Sequence, residues 1–208
     1  VTQPRTTYRA HLTLIEVVIA LLLLGAAGFF LVRNMIQAKE RIQKQQLSDA
    51  LLNQDIAVVK KLLAQHPSWL HVKGEFNQWT PLHLAAHCND VEFVRWLLDH
   101  GAVVDALDDT RQTPLHFACL GGSMEAAELL LSSGANIEAQ DDVGWTPLHC
   151  AANNQSKTVV ELLLKKGANP NAKTNSGETP EDLGRKFLPS SLGHPPPPIL
   201  RLPDAKKE

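Results

Sequence analysis

Residues 80–86 read TPLHLAA, and the same phrase returns as TPLHFAC from Thr113, as TPLHCAA from Thr146 and, degenerate, as TPEDLG from Thr179. Each start lies 33 residues after the last. The step holds elsewhere: Leu98, Leu131 and Leu164; Gly101, Gly134 and Gly167; Ala106, Ala139 and Ala172. A fixed period of this length identifies stacked supersecondary units, each too small to bury its own apolar face.

Each recurrent residue has a mechanical reason. Thr suits a helix N-cap, because its hydroxyl can accept a bond from an unpaired N–H of the first turn. Pro just inside the helix has φ preset and lacks only a donor that would be idle there. The small pairs Ala85-Ala86, Ala118-Cys119 and Ala151-Ala152 permit close helix approach. A second helix is expected from about Val91 to His100, with Val94, Leu97 and Leu98 on one buried face. Gly101 supplies the left-handed residue that ends it. Asp108-Asp109-Thr110-Arg111 and Asp141-Asp142-Val143-Gly144 read as turns projecting between units, their acidic pairs as solvated turn formers.

This pattern resembles the ankyrin repeat over residues 47–188. The resemblance implies an all-α solenoid of helix-turn-helix units with projecting β-turns. The units fall at 79–111, 112–144 and 145–177, between an N-terminal cap at 47–78 and a C-terminal cap at 178–188. In the first cap TPLH is missing but Leu62-Leu63 is kept. In the last, Glu181 replaces an apolar residue, as a water-facing end unit requires. Residues 189–208, with Pro195 to Pro198, read as an extended, disordered tail.

The N-terminal part is different in kind. Leu12 to Val32, LTLIEVVIALLLLGAAGFFLV, holds 21 residues with one charge. At about 1.5 Å per residue it matches a hydrocarbon core of about 30 Å, and it is apolar all round. A single transmembrane helix is expected at 12–32, after a short polar segment at 1–11 and before a helical stalk at 33–46. A cleaved signal peptide is the rival, since Gly25-Ala26-Ala27 offers a cut site, but Phe29 to Val32 prolong the apolar run beyond it. Thr13 to Gly25 also resembles the start of type IV pilins and pseudopilins, where the glutamate, here Glu16, pairs with a neighbour's terminal amine. His11 stands where that family has Gly before the cut. A lone carboxylate near the membrane edge can instead reach the headgroups. Arg5 and Arg9 before the segment, against Arg33, Lys39, Arg41 and Lys44 after it, favour a cytoplasmic repeat domain; the pilin resemblance implies the opposite side.

Charge narrows the function classes. Residues 1–46 carry six Lys/Arg and two Asp/Glu, a net of +4; residues 47–208 carry fourteen and twenty, a net of −6. An acidic domain is the wrong partner for nucleic acid. Three cysteines spaced by 31 residues form neither a disulfide framework nor a zinc motif. His83, His116 and His149 recur one per unit, too far apart for ligands that must all lie about 2 Å from one metal. No nucleophile–base set or phosphate loop is present, so neither an enzyme nor a cofactor is expected.

What remains is surface, and the resemblance implies a protein partner held by turn tips and the exposed end of each first helix. Those positions are Trp79, Gln112, Trp145 and Glu178 before each Thr-Pro; Asn77, Asp109, Asp142 and Val143 in the turns; and His87, Leu120, Asn153 and Asn154 near the helix ends. Trp79 and Trp145 are the expected anchors, because Trp is enriched among binding hot spots.

Overall fold

A computed structural model describes the chain from residue 6 to residue 186, with the side chains of 6–24, 26, 27 and 186 outside that description. The expected tail at 189–208, most of the polar segment at 1–11, Glu16 and the second helix of the last unit therefore lie outside the described residues. Helix α1 (Thr6–Leu52) is followed by α2 (Ile56–Gln65), a 3₁₀ turn (Pro67–His71), α3 (Pro81–His87) and α4 (Val91–Asp99). Then come α5 (Pro114–Gly121), α6 (Met124–Ser132), α7 (Pro147–Asn153), α8 (Lys157–Lys165) and α9 (Pro180–Lys186). Among the described residues there is no strand, and the helices alternate short and slightly longer.

The chain divides into two units, 1–45 and 46–208. In the first, only helix is described. Phe29, Phe30, Leu31 and Val32 are exposed, as are Met35, Ile36 and Ile42 further along. Among the described residues no helix is long and apolar enough to cross a membrane, and most of the apolar run expected to do so, 12–32, has its side chains outside them. The transmembrane segment is thus unsupported by the structure. The pilin-like stretch at 13–25 falls almost wholly in the same part.

In the second unit the helices pair as 3.6-residue periodicity requires. Val94 and Leu97 of α4, Leu130 of α6 and Leu163 of α8 are wholly buried, and so are Ala85, Ala118 and Ala151 of the shorter helices. Full burial of one such Leu is worth about 1.5–3 kcal/mol, so the stack is held mainly by these repeated contacts. Each longer helix closes at a glycine with φ near +90°: Gly101, Gly134 and Gly167. There the Ala102 N–H reaches back to the Leu97 carbonyl at 2.9 Å, the bond that closes a Schellman end. Close approach sets the shorter helices as well. A methyl group on Gly121 would stand 2.4 Å from the His87 carbonyl oxygen.

The first repeat departs from the period. Its inner helix is the end of α1, where Leu47, Ala50 and Leu51 are buried, and its N-cap Asp55 corresponds to Asp90, 35 residues later rather than 33. Ser48 takes the place of the TPLH histidine. Its hydroxyl accepts the Glu75 N–H at 2.8 Å.

Candidate partner-binding face

Every TPLH histidine is wholly buried and makes the same three contacts. His83 Nδ1 lies 3.1 Å from the Thr80 backbone nitrogen and 2.8 Å from its hydroxyl. A backbone N–H can only donate, so Nδ1 is the acceptor and the proton sits on Nε2. Nε2 then donates to the Gln112 carbonyl, 3.1 Å away in the next repeat. His116 and His149 repeat this with Thr113 and Thr146, and donate to Trp145 and Glu178 at 3.0 and 3.2 Å. The histidine side chain and Thr form a capping box at each helix start. Burial lowers all three imidazole pKa values, that of His83 to about 4, so each ring is neutral at pH 7.

The turns are built by a second recurrent device. Asp108 Oδ1 accepts the N–H groups of Thr110 at 2.9 Å and Gln112 at 2.7 Å, and the Thr110 hydroxyl. Asp141 Oδ1 does the same for Val143 and Trp145, at 3.0 and 2.7 Å, while its Oδ2 accepts from the Gln112 side chain. Asp108 and Asp141 are each only 8% exposed. The reading of both acidic pairs as solvated is therefore corrected: the first member is buried because it satisfies two backbone donors that would otherwise be stranded, and only Asp109 and Asp142 face water. Thr174, also buried, fills the same place in the next turn, its hydroxyl accepting the Glu178 N–H at 3.2 Å. Successive turns are tied edge to edge by backbone bonds: Asp109 N–H to Asn77 carbonyl at 3.3 Å, Asp142 to Thr110 at 3.1 Å, and Asn175 to Val143 at 3.0 Å.

Against this frame the twelve expected positions separate. Asp109, Asp142, Val143 and Asn154 are exposed; Asn77, Trp79, His87, Gln112, Leu120, Trp145, Asn153 and Glu178 are half-buried. The carbonyls of Gln112, Trp145 and Glu178 receive the histidine of the preceding repeat. Asn77 turns its Oδ1 to the Trp79 N–H. Trp79 stands edge-on to Phe117 with centroids 4.8 Å apart, and the rings of His83 and His87 approach the same Phe at 5.0 and 6.4 Å. His87 Nδ1 is enclosed there with no hydrogen-bond partner. Trp145 packs against the core cluster. Both tryptophans thus offer an edge rather than a free ring.

Two residues were missed. Phe76, 74% exposed, occupies the tip 33 residues before Asp109; the irregular first unit hid that correspondence. Phe117 is the hub of the aromatic cluster, and its only signal was an unusual size at the variable position of TPLHxA. Trp96, read as core, is half-buried instead and stacks on Phe93 and His100. Among the described residues no three His, Cys, Asp or Glu gather as a metal site.

Two family matches cover most of this unit: residues 47–141 match ankyrin repeats in three copies, and residues 143–175 a further ankyrin repeat. The chain belongs to the ankyrin-repeat family. No match was found among curated proteins. As an ankyrin-repeat protein the chain suits protein–protein interaction, and its buried Thr-Pro-Leu-His frame leaves the turn tips and inner-helix ends as the surface free to differ between repeats.

Proposed function

We propose that this chain is a non-catalytic interaction module that grips a protein partner with its turn tips and the inner-helix ends behind them. One observation carries the reading. The residues that recur every 33 positions are spent on joints and turns, whereas Phe76, Asp109, Asp142 and Val143 at the tips stand in solvent. Exposed apolar side chains in a row with charged ones are the usual makings of a contact patch. Behind them Trp79, Leu120 and Trp145 present partly covered apolar edges.

The module is carried, in this proposal, on a membrane by residues 12–32. Support comes from the length and uniform apolarity of that run and from the exposure of Phe29, Phe30, Leu31 and Val32. The cations after the run place the repeats on the cytoplasmic side.

The test is selection of a displayed random-peptide library on the full chain in neutral detergent. The native chain is expected to enrich a consensus that a Phe76→Ser/Val143→Ser variant retains at least tenfold more weakly, with an unchanged melting temperature. Equal capture by the variant removes the tips from the site. Replacing Trp79 is a poorer test, because its contact with Phe117 makes the loss partly structural.

A further inference from the structure

Helix α1 carries an unpartnered face with a definite chemistry. Leu31, Met35 and Ile42 are 62%, 72% and 60% exposed. At about 100° per residue they fall with Ala38 on one stripe of the helix. Lys39 flanks the stripe on one side and Arg41 on the other, both exposed, while Arg33 and the Glu40–Lys44 ion pair, at 2.9 Å, lie on the opposite face. The segment is therefore an apolar strip between two cations.

The turn tips of the repeats have the complementary character. Phe76 begins the row and Val143, 56% exposed, lies two repeats on, with Asp109 and Asp142 between and beside them. The buried carboxylates of Asp108 and Asp141 sit directly behind, and the nearby cation Arg111 is already 3.7 Å from Asp142. Neighbouring repeats pack at helix spacings of about 8–10 Å, so the row from Phe76 to Val143 is about 16–20 Å long. Leu31 to Ile42 extends about 16 Å along a helix.

We propose that the turn-tip row of one copy binds residues 31–44 of α1 from a second copy, Lys39 and Arg41 facing Asp109 and Asp142. This rests on the tips being the binding face, and it names the partner as another molecule of the same chain. Pairing of the stripe with its own counterpart is disfavoured, because both flanks are cationic and would meet like charge.

Sedimentation velocity of the full chain in neutral detergent tests this. Self-association is expected at low salt and at least tenfold weaker at 0.3 M salt, since exposed charges are screened over less than about 10 Å. Lys39→Glu/Arg41→Glu is expected to weaken it at least tenfold, as are Asp109→Lys/Asp142→Lys and the milder Asp109→Asn/Asp142→Asn. The two charge reversals combined in one chain should restore it. Three results overturn the proposal. Association that survives both tip variants but is lost in Met35→Asp/Ile42→Asp means the stripe pairs with itself. A monomer at all salts whose binding to anionic, but not neutral, vesicles depends on Lys39 and Arg41 means the segment addresses lipid. Peptide capture lost in the tip variants while association is intact overturns this inference alone and leaves the binding face standing; loss of neither removes both.

Discussion

The joints between repeats come in two kinds. Three are made by a buried histidine that caps its own helix and donates to the next repeat; the first is made by Ser48, which accepts one N–H from the segment that follows it. The turns differ in parallel. Those after α4 and α6 are wound around a buried Asp, whereas the first is closed by Asn77 and by a Gly74 N–H to Trp79 carbonyl bond of 2.9 Å. A two-way imidazole contact fixes the distance between units, and with it the 33-residue period. Where serine replaces it, the unit has drifted to 35 residues. Regularity in this stack is a property of the joint rather than of the helices.

The sharpest way to break that contrast is at the joint. His116→Ala strands the Thr113 N–H and the Trp145 carbonyl together, and is expected to cost about 3–4 kcal/mol. Ser48→Ala strands a single N–H and should cost about 1 kcal/mol. Urea unfolding of both variants measures the difference; equal losses would mean the histidine joint is no stronger than the serine one.

Acid attacks the same joints without mutation. A protonated imidazole has a donor on Nδ1, which faces the Thr N–H and cannot accept it. Because burial depresses the folded pKa, the native state resists a proton that the unfolded chain takes up near pH 6.5. Stability is therefore full above about 6.5 and is lost as the pH falls toward the His83 value of about 4. That displacement corresponds to about 3 kcal/mol from His83. Chemical denaturation between pH 7.5 and 4 should show the slope, and His83→Gln should flatten it.

Within one turn, neighbouring aspartates should behave oppositely. Asp141→Ala abandons two backbone donors and is expected to cost about 2–3 kcal/mol, whereas Asp142→Ala should stay within about 0.5 kcal/mol. Paired thermal melts decide it. The smallest effect distinguishes turns with and without glycine. Arg111 and Gln78 hold φ of 62° and 54° where Gly144 and Gly177 stand at 81° and 82°. Arg111→Gly relieves the left-handed penalty and should stabilise by up to about 1 kcal/mol, less its entropic cost.

Much of this was legible beforehand, for a physical reason. A 33-residue step, Thr-Pro starts, small pairs and Gly ends are local requirements repeated three times, and each appears where it was read. The buried Asp108 and Asp141 were not foreseen, since a carboxylate in a turn looks solvated until the N–H groups folded around it are seen. The tips were only half visible. Asp109 and Val143 follow from the period, but Phe76 sits in the unit whose register slipped, and the partial cover over Trp79 depends on Phe117 from the adjacent repeat.

The carbonyls that accept the three histidines belong to Gln112, Trp145 and Glu178, residues with nothing in common but a main chain. The joint thus reads the backbone of a position whose side chain is left to the partner. Substitution there can rewrite what the surface recognises while the spacing of the stack is inherited unchanged. New specificities are in this way only point mutations away from a fold that does not register them.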